Sequence, residues 1–243
     1  MNWKDKLNLL QCIASDLQII HSHDLIHRDL HSGNILLNSV KSAYIADLGL
    51  LISVNSASIS KSDRICGILP YIAPEVFENK QYTKASDIYS FGIIMWEVLY
   101  GKPITFELKS KAQSELQFQM QICNGLRPHI YENTPKCCAD LMKRCWNIEA
   151  KGRPTATEIC DIFAEWHYSE IILSKLSVFD KNLQNIKNED VQIYIEPNEF
   201  QGNYDLNFFY KKINTIILHS NRYLIIHFID SELYSLKIPD TIS

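Results

Sequence analysis

The sequence predicts a mainly α-helical domain in which small β-hairpins frame one polar loop, followed by a tail of different character. Three observations carry this expectation. Apolar residues recur at three- and four-residue steps over most of positions 2–166. Short β-branched or aromatic runs gather between Leu25 and Ala46, on either side of a stretch rich in His, Asp, Gly and Asn. After about Lys175 the chain turns to Asn-rich, β-branched and aromatic segments.

Taken in order, Trp3, Leu7, Leu10, Ala14, Leu17 and Ile20 fall on one stripe, so 2–23 reads as one amphipathic helix. Leu25-Ile26, Ile35-Leu36-Leu37 and Tyr44-Ile45-Ala46 read as small strands flanking a functional loop. Residues 52–61 are serine-rich and aperiodic, which predicts a mobile surface segment. The run 87–100 is apolar apart from its first residue, Ser90 and Glu97, as expected of a helix buried on most sides, and Gly101-Lys102-Pro103 stops it. Further helical patterns cover about 114–123, 135–145 and 155–166, with Pro154 suited to a first helical turn. The composition shift divides the chain into residues 1–174 and a tail, 175–243, with strand tendency at 192–195 and 213–229.

A chain of 243 residues with 46% apolar and 21% charged side chains is long enough for one ordinary core. Net charge is −4, which excludes the basic footprint of a nucleic-acid binder or a polybasic membrane-surface face. Seven cysteines include no CxxC pair and no histidines at ligand spacing, which points to free thiols of a reducing compartment. Without a signal-peptide pattern or an apolar run of about 18 residues, the expectation is a cytoplasmic protein with no membrane and no nucleic-acid partner.

Chemistry concentrates in His27-Arg28-Asp29-Leu30-His31-Ser32-Gly33-Asn34, with Asp47-Leu48-Gly49 and Ala73-Pro74-Glu75 downstream. By itself, an Asp-containing loop before a strand is a turn whose Asp and Asn cap backbone N–H groups. Asp87-Ile88-Tyr89-Ser90-Phe91-Gly92, Gly125-Leu126-Arg127-Pro128, Cys145-Trp146 and Arg153-Pro154 follow in order. Together these motifs resemble the carboxy-terminal, catalytic-loop lobe of eukaryotic protein kinases: H-R-D-L-x-x-x-N, a D-x-G triplet, A-P-E and a late Arg, all in register. The segment Gly67 to Glu75 resembles that of the tyrosine-kinase-like group of serine/threonine kinases.

The resemblance implies a kinase-like C-terminal lobe with small β-hairpins at the catalytic loop. It further implies transfer of the ATP γ-phosphate, with Mg²⁺, to a protein hydroxyl, Ser/Thr being favoured. Asp29 would be the catalytic base, Asn34 a catalytic-loop metal ligand, and Asp47 the charged ligand that holds Mg²⁺ and ATP. His27, Glu75 and Arg153 would be structural, Arg153 pairing with Glu75. Arg28 would pair with a phosphate on Ser53, Ser56, Ser58, Ser60 or Ser62, with Arg64 nearby; alternatively these serines only keep a loop soluble. Leu48 stands for the usual Phe, His31 for the usual Lys of serine/threonine kinases, and His21, His23 and His31 show no metal spacing.

No G-x-G-x-x-G and no V-A-I-K-like strand occurs in the sequence, so the ATP-gripping N-terminal lobe is read as absent. The expectation is negligible activity for this chain alone, either as a piece of a two-lobe kinase or as a non-catalytic kinase-like interaction module. An apolar face left bare by the missing lobe would recruit a partner protein.

Overall fold

A computed structural model describes residues 2–39, 42–57, 65, 67–79, 81–104 and 114–190. Contacts group Met1–Glu199 into one unit and Phe200–Ser243 into a second, which lies outside the described residues. So do Ser58, Ser60, Ser62 and Arg64, the side chain of Ser56, and the segments 192–195 and 213–229.

The first unit is mainly helical. Helix α1 (Trp3–Ser22) starts where Asn2 Oδ1 accepts the Asp5 N–H at 2.9 Å. Its Leu7, Leu10, Ala14 and Leu17 are fully buried, so the predicted stripe is the core-facing stripe. Strand β1 (Leu25–Ile26) pairs antiparallel with β4 (Ile52–Ser53), and β2 (Ile35–Ser39) with β3 (Ser42–Ile45), Ile35 opposite Ile45. Asp16 Oδ2 accepts the Ile45 N–H at 2.9 Å, pinning the second hairpin to α1.

After the short helices α2 (Val54–Ala57) and α3 (Pro74–Asn79) comes α4 (Lys84–Tyr100). It begins three residues before the predicted start, because Thr83 and Ser86 form a reciprocal capping box. Its C-cap is Gly101 at φ 63°, a left-handed conformation that glycine adopts without strain. Helices α5 (Glu115–Cys123), α6 (Lys136–Cys145) and α7 (Ala156–Tyr168) follow the predicted periodic stretches closely.

Two sequence expectations change. Residues 52–57, read as aperiodic, form β4 and one helical turn, with the Val54 N–H donated to Asp24 O at 2.8 Å. A two-residue strand is too short for periodicity to register. The last described helix, α8 (Glu170–Asp190), runs through the 174/175 division and buries Leu176, Phe179 and Asp180. Among the described residues, no helix is long and apolar enough to cross a membrane.

Candidate active site

The loop between β1 and β2 is hung from one buried carboxylate. Asp87, 1% exposed in the first turn of α4, accepts the His27 N–H on Oδ2 at 2.8 Å and the Arg28 N–H on Oδ1 at 3.0 Å. His21 Nε2 lies 2.9 Å from the same Oδ2, so α1, the loop and α4 converge on a single side chain. Arg28 adopts φ 71°, an uncommon conformation for a residue with a Cβ. The paired bonds to Asp87 hold it there, a local strain of the kind found at functional sites. His27 is fully buried, and its Nε2–H donates to Ala46 O at 3.2 Å.

Asp29 therefore leaves the anchored pair at a defined point. Its backbone carbonyl accepts from Asn34 Nδ2 at 2.9 Å, and the same nitrogen lies 3.5 Å from Asp29 Oδ2. Across the hairpin, Asn34 O accepts the Ala46 N–H at 2.8 Å. Ala46 is thus gripped on both sides, by Asn34 through its N–H and by His27 through its carbonyl. The next residue is Asp47, exposed and left-handed at φ 59°, ψ 63°. Asp29, Asn34 and Asp47 are consequently presented by two adjoining turns tied by three hydrogen bonds.

This donor set suits a hard divalent cation. The Nδ2 of Asn34 is committed to Asp29, which leaves Oδ1 as the oxygen it could offer a cation, and Asp47 adds a charged one. Among the described residues no cluster of three His, Cys, Asp or Glu forms a self-sufficient metal cage. Two protein oxygens completed by phosphates and water is the arrangement Mg²⁺ takes in phosphoryl-transfer sites.

His31, which shows no metal spacing in the sequence, is part of the constellation. Its Nδ1 accepts the Gly33 N–H at 3.0 Å and its Nε2 lies 3.6 Å from Asp29 Oδ1. Burial pulls its pKa below the ordinary imidazole value, with the Asp29 carboxylate pulling the other way. The Tyr71 ring packs against it with centroids 5.9 Å apart. Tyr71 belongs to the Gly67 to Glu75 stretch: its hydroxyl bonds Ser32 Oγ at 2.8 Å and its carbonyl accepts Ser90 Oγ–H at 2.7 Å. Gly67 adopts φ 107°, a left-handed conformation suited to glycine, and an added Cβ would stand in ordinary contact, 3.4 Å, with Asp29 Oδ1.

Glu75 and Arg153 meet in a two-pronged ion pair, Nη1–Oε1 2.6 Å and Nη2–Oε2 2.7 Å. Arg153 also donates to Ala85 O and Asn147 O and lies over the Tyr89 ring, so it ties α3, α4 and the turn before α7 together. Ser53 sits in β4 opposite Leu25, its Oγ accepting the Asn55 N–H at 3.3 Å. The Arg28 guanidinium lies over the Tyr82 ring at 5.4 Å. A surface cavity of about 330 Å³ lined by Asn133, Pro135, Ser174, Lys175 and Val178 includes none of the catalytic-loop residues.

Sequence reasoning passed over Asp87, His21, His31 and Tyr71 as site-building residues. A signal existed for Asp87, a carboxylate opening an otherwise apolar helix, since a buried charge has to be paired.

The family model for protein tyrosine and serine/threonine kinases matches residues 1–163. Cyclic GMP-binding protein C of Dictyostelium discoideum is 35% identical over 174 residues, 68% of this chain and 6% of that protein. Serine/threonine-protein kinase STY46 of Arabidopsis thaliana is 31% identical over 153 residues, 63% of this chain and 26% of that protein. A relative from Acanthamoeba polyphaga mimivirus is 32% identical over 171 residues, 68% of this chain and 10% of that protein. The chain thus spans between 6% and 26% of the length of these relatives. The matched span runs from α1 through the Asp29–Asn34 loop and the Glu75–Arg153 pair, and the chain belongs to the protein tyrosine and serine/threonine kinase family.

Proposed function

We propose that these residues form the catalytic-loop lobe of a protein kinase that phosphorylates a serine or threonine hydroxyl of a protein substrate. The observation that carries this is the joint presentation of Asp29, Asn34 and Asp47, linked through Ala46 and Asn34. Asp29 orients the acceptor hydroxyl and takes its proton, Oδ1 being buried and without a hydrogen-bond partner among the described residues. Asn34 Oδ1 and the Asp47 carboxylate hold the cation. When bound, Mg-ATP would supply the transferred phosphoryl group, and its metal, held by Asn34 Oδ1 and the Asp47 carboxylate, would offset charge developing there. His27 and Asp87 keep the loop in shape without touching reactants. The serine/threonine preference is supported by the Arabidopsis relative, which is named a serine/threonine-protein kinase.

The 243 residues hold no Gly-rich phosphate loop, so this chain by itself is expected to bind Mg-ATP weakly and to transfer negligibly. A second reading is a non-catalytic module that binds a kinase or substrate through its helical surface. We place either form in the cytoplasm, with a partner protein covering the exposed lobe face. Arg28 is proposed to receive a phosphate from the serine-rich stretch that includes Ser53 and Ser56, ordering it by charge-assisted bonds.

The test uses the protein purified from its own cells, identified by peptides from residues 13–34. A species heavier than the computed 28.1 kDa that phosphorylates a mixed Ser/Thr peptide, and loses about 10²-fold or more on Asp29→Asn, supports the kinase reading. A 28.1 kDa species giving no heat with Mg-ATP and no transfer selects the binding module.

A further inference from the structure

Cys137 and Cys138 stand side by side in the first turn of α6, and the fold gives them contrasting surroundings. Cys138 is fully buried, and burial pushes its pKa well above the ordinary thiol value. Cys137 is only half-buried. The adjacent Cys138 thiol holds the Cys137 pKa down to about 7 against the effect of burial, and the N–H groups of residues 137 and 138 and the Lys175 ammonium pull the same way. One member of the pair thus keeps its proton, while the other has the character of a thiolate, the form that reacts.

A cavity opens beside this pair. Its walls are Asn133 and Pro135, in the turn that leads into α6, and Ser174, Lys175 and Val178 of α8. Its volume of about 330 Å³ falls within the range of small-molecule clefts. Pro135 stands two residues before Cys137, and Lys175 is common to the cavity wall and to the surroundings of the Cys137 sulfur. Lys136, also in the first turn of α6, is paired with Asp140, whereas Lys175 is exposed and has no ion-pair partner among the described residues. The cavity therefore joins an apolar wall, Pro135 and Val178, to one uncommitted cation. A small organic anion suits that combination better than a neutral or cationic group.

We propose that Cys137 is a thiol-modification site for a small disulfide that carries carboxylates, with the attached half seated in this cavity against Lys175. The Cys137 thiolate attacks one sulfur of the disulfide, a new S–S bond joins the two, and the old S–S bond breaks. The departing thiolate takes the electron pair and then a proton from water, so the disulfide is reduced as Cys137 is oxidised. Cys138 does not displace the attached group. Adjacent Cα atoms are about 3.8 Å apart, shorter than the roughly 4.4 Å that an unstrained disulfide needs. The mixed disulfide consequently persists until an outside thiol removes it, and the site stands independently of how the catalytic loop is read.

Oxidised glutathione, which carries carboxylates, and cystamine, a cationic disulfide, test this on the 243-residue chain, with modified cysteines mapped over time by peptide mass spectrometry. With oxidised glutathione, Cys137 is expected to react about tenfold or more faster than Cys123, whose thiol burial keeps protonated, and Cys138 to stay unmodified. In Lys175→Gln, an exposed change that leaves the circular dichroism spectrum as it is, the glutathione-to-cystamine rate ratio at Cys137 is expected to fall about threefold or more. Reaction at Cys137 no faster than at Cys123 overturns the modification site. An unchanged rate ratio in Lys175→Gln overturns the seating of an anionic group against Lys175.

Discussion

Asp87 satisfies three donors from two other parts of the chain, and each would be stranded by its loss. A buried N–H without an acceptor costs about 1–3 kcal/mol. Asp87→Ala is therefore expected to destabilise by about 3 kcal/mol or more, and Asp87→Asn, which keeps one acceptor, by less. Urea midpoints at unchanged m-value would check both. Glu97 poses the opposite problem, a carboxyl deep in α4 that burial pushes above the ordinary 4.5, against the Ile104 N–H and the Tyr71 and Ser32 hydroxyls. A raised folded value means that the folded state holds the proton more tightly than the unfolded chain. Its contribution is then complete below about 4.5 and is lost as pH rises through the folded value. Glu97→Gln, which keeps an acceptor for Ile104, is expected to equal or exceed wild-type Tm at pH 7 and to lose that advantage near pH 4. Thermal melts across that range would show no such crossover if Glu97 were ionised without cost.

At the scale of elements, α4 and α6 cross where no side chain fits between them. A Cβ on Gly92 would stand 2.7 Å from Cys145 Cβ, and neither atom belongs to a flexible chain end. Gly92→Ala is expected to destabilise by about 1–3 kcal/mol through overpacking, although alanine is the better helix former. A scanning-calorimetry Tm at or above wild type would contradict this close approach. The same scale explains which elements the sequence revealed. Helices α1, α5, α6 and α7 each carry an apolar stripe and a polar or proline start, such as the Thr155–Glu158 capping box. Six-residue α3 and two-residue β4 are shorter than either period needs, and β4 exists through pairing with β1, the strand legible at Leu25-Ile26.

For the first unit as a whole, the least expected feature is the docking of α8. Lys6 in α1 donates to Leu99 O at 3.0 Å and to Asp180 Oδ1 at 2.5 Å, with lysine and aspartate side chains about one-tenth exposed. Phe179 meets Tyr100 edge-on at 6.2 Å beside it. Asp180→Ala would leave the Lys6 ammonium buried without its counter-charge, at a cost of about 3–5 kcal/mol. The expected result is a lower unfolding midpoint, with much of the loss recovered in the double variant Lys6→Met/Asp180→Ala, since removing both charges leaves none stranded. Additive losses in that double variant would show that the two residues do not depend on each other.

The amino-acid sequence by itself determined the helical class, the order of the main helices and the identity of the loop carrying Asp29 and Asn34. Those are local properties: periodicity, caps, and residue types at close spacing along one stretch of chain. Only the tertiary structure decided that Asp87, 60 residues from His27, suspends that loop, that His31 faces Asp29, and that α8 belongs to the core against Lys6. Each of these is a polar group taken out of water and obliged to find a partner. Which partner it finds depends on how distant segments pack, and no local pattern records that.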